Sequence, residues 1–159
     1  MTQRHFARWF GALGLTLVLV GMVSQGTTSA QTLAETQQRA NEGDAHAQAT
    51  LGFVYENGEG VPENLMQAVV WYRIAADQDY APAQANLGVM YSNGQGVPQD
   101  DVEAHKWLSL AVSSLTGDRQ KGYAEYRNAM AKQMTPAQLA EAQRLAREWQ
   151  AAFEKQQAE

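Results

Sequence analysis

Residues 45–76 read AHAQATLGFVYENGEGVPENLMQAVVWYRIAA, and residues 81–112 read APAQANLGVMYSNGQGVPQDDVEAHKWLSLAV. Laid over one another without a gap, the 36-residue units 45–80 and 81–116 agree at fifteen positions. Self-similarity at a fixed period of this size marks stacked supersecondary units, each unable to bury its apolar face alone. Inside each unit the apolar spacing is helical. Ala45, Gln48, Leu51, Gly52 and Tyr55 recur at steps of three and four, and Asn57-Gly58 stops the run. A second helix, from about Glu63 to Gln78, is entered through Val61-Pro62 and carries Ala68, Trp71, Tyr72 and Ala75 on one stripe. The second unit repeats the design with Gln84, Leu87, Gly88 and Tyr91, then Asn93-Gly94, Pro98, Ala104, Trp107 and Ala111. The pattern predicts an all-α fold, an α/α superhelical solenoid of antiparallel helix pairs.

Two positions in the unit need a packing explanation. Glycine inside a helix is less favourable than alanine by about 1 kcal/mol, yet Gly52 and Gly88 occupy the same helical place in both copies. They predict sites where a second helix comes very close, with the bulky Trp71 and Trp107 filling the space beside them.

The flanks are less regular. Thr32 to Glu42 reads as a short helix ended by Gly43, the remnant second helix of an incomplete leading unit. After Thr116-Gly117 the repeat pattern fails. Asp118 to Met134 has helical composition, and Thr135-Pro136-Ala137-Gln138 opens a last helix with a capping box. The chain therefore divides into a removable leader (1–30), an N-terminal capping helix (31–44), two repeats (45–80 and 81–116) and C-terminal capping helices (117–159).

These motifs resemble the Sel1-like repeat family, relatives of the tetratricopeptide repeats. The resemblance rests on Ala45/Ala47/Gln48, Leu51/Gly52/Tyr55, Gly58/Gly60/Val61/Pro62 and Ala68/Trp71, and on their counterparts from Ala81 to Trp107. The family often has glycine where Asp79 stands; aspartate tolerates the left-handed conformation better than most residues. The resemblance implies a right-handed superhelix whose inner face binds other proteins. Some secreted, cysteine-rich members are described as β-lactamases or penicillin binders. This chain has no cysteine and no Ser-x-x-Lys pair, so a hydrolase acting on β-lactam or cell-wall material is the alternative reading.

The first thirty residues have the layout of a secretory signal peptide. Arg4 and Arg8 precede an apolar run from Ala12 to Val23, and Thr28-Ser29-Ala30 supplies small residues before a cut between Ala30 and Gln31. The run is shorter than the roughly 20 apolar residues that cross a bilayer. Cleavage would leave an exported bacterial protein, periplasmic or secreted, with no stable membrane insertion. The absence of cysteine excludes a disulfide framework and thiolate zinc.

Charge narrows the partners. Residues 31–104 hold 11 acids against two bases, while 105–159 hold six acids against eight bases. A net acidic body opposes the phosphate-driven attraction that nucleic-acid binding needs.

No catalytic motif stands out. Gly58-Glu59-Gly60 and Gly94-Gln95-Gly96 follow helices and precede proline, whereas a dinucleotide fingerprint must follow a strand. His46 lies near Asp44, but two ligands make no metal site, and His105 reads as a helix-surface residue. The expectation is a non-catalytic scaffold with no cofactor and no metal, binding a protein or peptide through positions that differ between the copies. Along the inner helices these are Thr50, Phe53 and Val54 with Asn86, Val89 and Met90, and the candidate groove also takes in Asn57 and Asn93, which the copies share.

Overall fold

A computed structural model describes residues 27–159; residues 1–26, the greater part of the expected leader, lie outside the described residues. The described chain forms seven helices and no strand. They are α1 (Thr27–Asn41), α2 (Ala45–Asn57), α3 (Leu65–Ala76), α4 (Ala81–Asn93), α5 (Asp101–Ser114), α6 (Gly117–Ala131) and α7 (Pro136–Gln157). The all-α repeat expected from the sequence is the architecture found.

Local chemistry sets the boundaries. Asp44 caps α2 by accepting a hydrogen bond from the Ala47 backbone N–H at 2.9 Å. Gly58 ends it at φ 68°, its N–H donating to the Val54 carbonyl. The second helix of each unit starts later than the proline suggested. Asn64 caps α3 and Asp100 caps α5, so Pro62 and Pro98 lie in the connection, two residues before the cap. A capping side chain satisfies a free N–H, which proline at the first position does not. Both connections fold back identically, Asn64 N–H on the Tyr55 carbonyl at 2.8 Å and Asp100 N–H on the Tyr91 carbonyl at 3.0 Å. Gly96 (φ +71°) is the tightest point there, since a Cβ on it would fall 2.4 Å from the Leu65 carbonyl oxygen. Asp79 takes the left-handed conformation expected of it, φ 61°. The Thr135–Gln138 capping box also forms.

Packing follows chain order: α1 on α2, α2 on α3, α3 on α4, α4 on α5 and α5 on α6. Within each pair the glycines mark the close approach, but the partners differ from those expected. A Cβ on Gly52 would meet the Tyr72 ring at 2.6 Å, and one on Gly88 would meet Leu108 Cγ at 2.8 Å. Tyr72 and Leu108, not the tryptophans, fill those contacts. Trp107 is 1% exposed in the main core with Tyr72, Leu87 and Met90, whereas Trp71 is half-buried beside Ala40, Ala47 and Leu51.

A glutamine joins each unit to the helix before it. Gln48 Nε2 donates to the Ala40 carbonyl at 3.0 Å, and Gln84 Nε2 to the Ala76 carbonyl at 3.3 Å. The last carbonyls of a helix have no partner within it; those of Ala40 and Ala76 accept from the Gly43 and Asp79 N–H groups, and the amides add a second bond to each. Gln120 Nε2 then donates to the Val112 carbonyl at 3.1 Å, so the pattern does not stop at Gly117. The helix α6 occupies the place of a third first helix. What fails is its partner: α7 lies against α5 instead of pairing with α6. Trp149 meets Trp107 edge-on, with centroids 5.9 Å apart, and stacks on Phe153 at 5.2 Å.

His105 is also not where the sequence put it. It is 5% exposed, on the buried side of α5 with Nδ1 3.3 Å from Ser109 Oγ. Burial, and then the Arg127 guanidinium, lower its pKa below the ordinary histidine value.

These contacts make three predictions. Gly52→Ala and Gly88→Ala should each lose about 1–3 kcal/mol by overpacking. Gly122→Ala, in a helix with nothing within 4 Å of the added carbon, should instead gain about 1 kcal/mol; urea unfolding measures all three. His105 is neutral when folded, so its contribution is complete above the unfolded pKa of about 6.5 and is lost as pH falls below it. Urea midpoints at pH 7.5 and 5.5 should differ for the wild type, and differ less for His105→Val.

Candidate functional site

The two repeats differ in what precedes them. In the second unit α4 packs on α3, which is itself paired with α2; in the first, among the described residues, α2 has only α1 before it. A cavity of ≈ 840 Å³ opens there, between α1, α2 and the connection to α3. Leu33, Ala34, Thr36 and Gln37 of α1 form one wall, Thr50 and Val54 of α2 the other, and Glu59 and Gly60 close one end. The lining is apolar and hydroxyl-rich, and Glu59 is its only ionisable side chain.

Each residue proposed from the sequence has a definite place. Thr50 and Val54 meet in the cavity, Thr50 half-buried with its hydroxyl donating to its own helix at the His46 carbonyl, 2.9 Å. Val54 is 9% exposed, so it forms floor and not rim. Phe53 is 47% exposed on the same helix. Asn57 is exposed, with its amide on the Phe53 carbonyl at 2.9 Å. The second set does not form a matching groove. Met90 is fully buried in the main core and cannot line any surface, because α4 is covered on the side that α2 leaves open. Val89 packs half-buried beside Ala104, Leu108 and Met130. Asn93 is exposed and donates to Gln95 Oε1 at 3.1 Å. The eight residues are therefore not one groove.

Asn86 belongs to a different arrangement. It shares the Tyr72 hydroxyl with Glu56, to which Tyr72 donates at 2.7 Å. Burial, followed by Glu56, pushes the Tyr72 hydroxyl far above the usual tyrosine range, so it stays a neutral donor. Further along, Ser92 Oγ and the Tyr126 hydroxyl are 2.7 Å apart, bridging α4 to α6.

The histidines are structural. His46 Nδ1 sits 2.8 Å from the Tyr80 hydroxyl, while Asp44 caps α2 and pairs with Arg39 at 2.5 Å. The Ala47 N–H and the Arg39 guanidinium hold the Asp44 carboxyl below its ordinary pKa. Among the described residues no three of His, Cys, Asp or Glu gather as metal ligands, and no helix is long and apolar enough to cross a membrane. Sequence reasoning missed the α1 wall and the Glu59–Gly60 end. The signal was present in the stretch Thr32 to Glu42, which the sequence marked as a cap and the structure makes a cavity wall as well.

Comparison with known proteins agrees with this geometry. The model of the Sel1 repeat matches residues 45–80 and 81–114. No curated protein matches the chain. Among solved structures, a protective antigen of uropathogenic Escherichia coli strains displaying an SLR fold is 31% identical with a TM-score of 0.70, covering 80% of this chain. A Sel1 repeat protein from Oxalobacter formigenes is 34% identical with a TM-score of 0.56, covering 61% of this chain. This chain spans 28% of the length of each. Motif, helix order and neighbours coincide: the chain carries two Sel1 repeats, at 45–80 and 81–114.

Proposed function

We propose that the chain is a non-catalytic scaffold of the bacterial cell envelope that holds a peptide segment or a single helix of a partner protein. Sel1 repeats generally mediate protein–protein interaction. The observation that carries the reading is the cavity beside α2, where the described residues place α1 alone before the helix, while α4 and α6 each have a helix pair before them. Thr50, Val54, Leu33 and Thr36 supply its apolar contacts, and the exposed Phe53 stands near it on α2. A standard interface takes roughly 800 Å² from each partner. A short array supplies that area for a peptide or a helix more readily than for a domain.

Export is part of the proposal. It rests on Arg4, Arg8, the Ala12–Val23 run and the Thr28-Ser29-Ala30 site. A cut after Ala30 would remove the first turn of α1 and leave the cavity wall from Thr32 to Gln37 intact.

Envelope crosslinking followed by mass spectrometry tests both halves. The mature protein should begin at Gln31 in the periplasmic or secreted fraction; a retained Met1 refutes the leader. Thr50→Arg with Phe53→Asp should remove the partner crosslinks while the melting temperature holds. An unchanged partner set refutes the cavity assignment.

A further inference from the structure

The outer side of α3 carries Met66, Val70 and Ile74, spaced by four residues and exposed by 68%, 48% and 40%. Residues at this spacing share a helix face. Scattered surface apolar residues are ordinary, but a contiguous stripe marks a place of contact. The molecule holds its own comparison. Thirty-six residues on, the same positions of α5 are Val102, Lys106 and Leu110. There Leu110 is 4% exposed, the Lys106 side chain 12%, and Val102 is half-buried. The helix lying against α5 is α7, whose Ala146 and Trp149 join Trp107 and Leu110 in the core. One repeat has this face covered by an amphipathic helix. Among the described residues the other has it bare.

We propose that the Met66–Val70–Ile74 face of α3 docks a basic amphipathic helix of another protein, laid on α3 as α7 lies on α5. Charge selects the occupant. Exposed Glu63 and Asp77 flank the two ends of the stripe. Between residues 31 and 104 the only bases are Arg39 and Arg73. Arg39 is paired with Asp44, and Arg73 is engaged by the Tyr91 hydroxyl and lies over the Tyr91 and Trp107 rings. No other base among residues 31–104 is left to neutralise the ends. A second copy placed face to face on α3 brings acid against acid in either direction, and an anionic bilayer is repelled in the same way. A helix with apolar residues at i, i+4 and i+8 and lysine or arginine at its ends meets both demands. This surface is separate from the cavity beside α2, so it stands or falls independently of that site.

The test uses the mature chain and two fluorescent synthetic helices of about 18 residues, five turns long. Both carry leucine at i, i+4 and i+8; one is flanked by lysine and the other by glutamate. In anisotropy titrations the lysine-flanked helix should bind the wild type at least about tenfold more tightly, and salt should weaken it. Val70→Lys should reduce that affinity at least about tenfold at an unchanged melting temperature, because the site is solvent-exposed. Thr50→Arg should leave it unaltered. Absence of binding, equal binding of the two helices, or full binding by Val70→Lys overturns the proposal. So does a wild-type dimer, or co-sedimentation with phosphatidylglycerol vesicles, that Val70→Lys abolishes, since either gives the face another occupant.

Discussion

The array depends on one side-chain amide used three times. Gln48, Gln84 and Gln120 each reach back eight residues to a carbonyl in the last turn of the preceding helix. The Ala40 and Ala76 carbonyls also accept from the Gly43 and Asp79 backbone N–H groups, so it is the amides of Gln48 and Gln84, both buried, that need the bond. Burying an unpaired polar group is worse than making an ordinary hydrogen bond is good. The bond therefore works less by adding stability than by excluding other placements. A unit rotated or slid along its neighbour would leave the buried amide unsatisfied. In the first junction the remaining glutamine oxygen accepts from Gln78 at 2.6 Å. In the second, Gln84 anchors instead to Asp79, at 3.0 Å. The left-handed turn at Asp79 and the register of α4 are thus one feature.

Much of the fold was legible because the unit is written twice. Helix order, the glycine stops, the capping box at Thr135 and the special backbone at Asp79 all follow from residue types with narrow conformational uses. The errors have a common physical origin. Trp71 and Tyr72 are adjacent, about 100° apart around a helix, and periodicity alone does not say which one faces the glycine of the partner helix. Pro62 signals a helix start, yet Asn64 caps α3, and a side-chain acceptor outweighs a backbone preference. Gln120 escaped notice because its neighbours had drifted: Tyr123 stands where leucine does in the other units and Ala124 where glycine does. The candidate cavity was legible only in part. Thr50 and Val54 line it, whereas Met90 is buried, because equivalent positions of two repeats need not have equivalent neighbours.

The C-terminal end shows how an array finishes. Only Met130 of α6 is buried; Tyr123 is half-buried against the core, and most of the remaining helix is polar. It offers a following helix little apolar surface. The stripe on α7 finds Trp107 instead, and the aromatic contact is reinforced from several sides. Glu103 accepts from the indole N–H at 2.9 Å, Lys106 lies 4.4 Å from the ring centroid, and Arg73 5.4 Å from it. Cations over an indole face that is closed to water are held more strongly than at an open surface. One side chain thus ties α3, α5 and α7 together, and polar α6 seals the end against further stacking, as terminal units of such arrays require.

The direct passage from Tyr80 to Ala81 bears on how such a chain changes size. No spacer separates the units, and the contacts across that boundary are the glutamine bond and the core cluster of neighbouring helices. A duplicated 36-residue segment inserted there would meet the same chemistry on either side that the existing units meet. Length is then a quantity selection can alter in whole steps without redesigning a core, while the two ends stay as they are. The much longer solved relatives, of which this chain spans 28%, leave room for such growth.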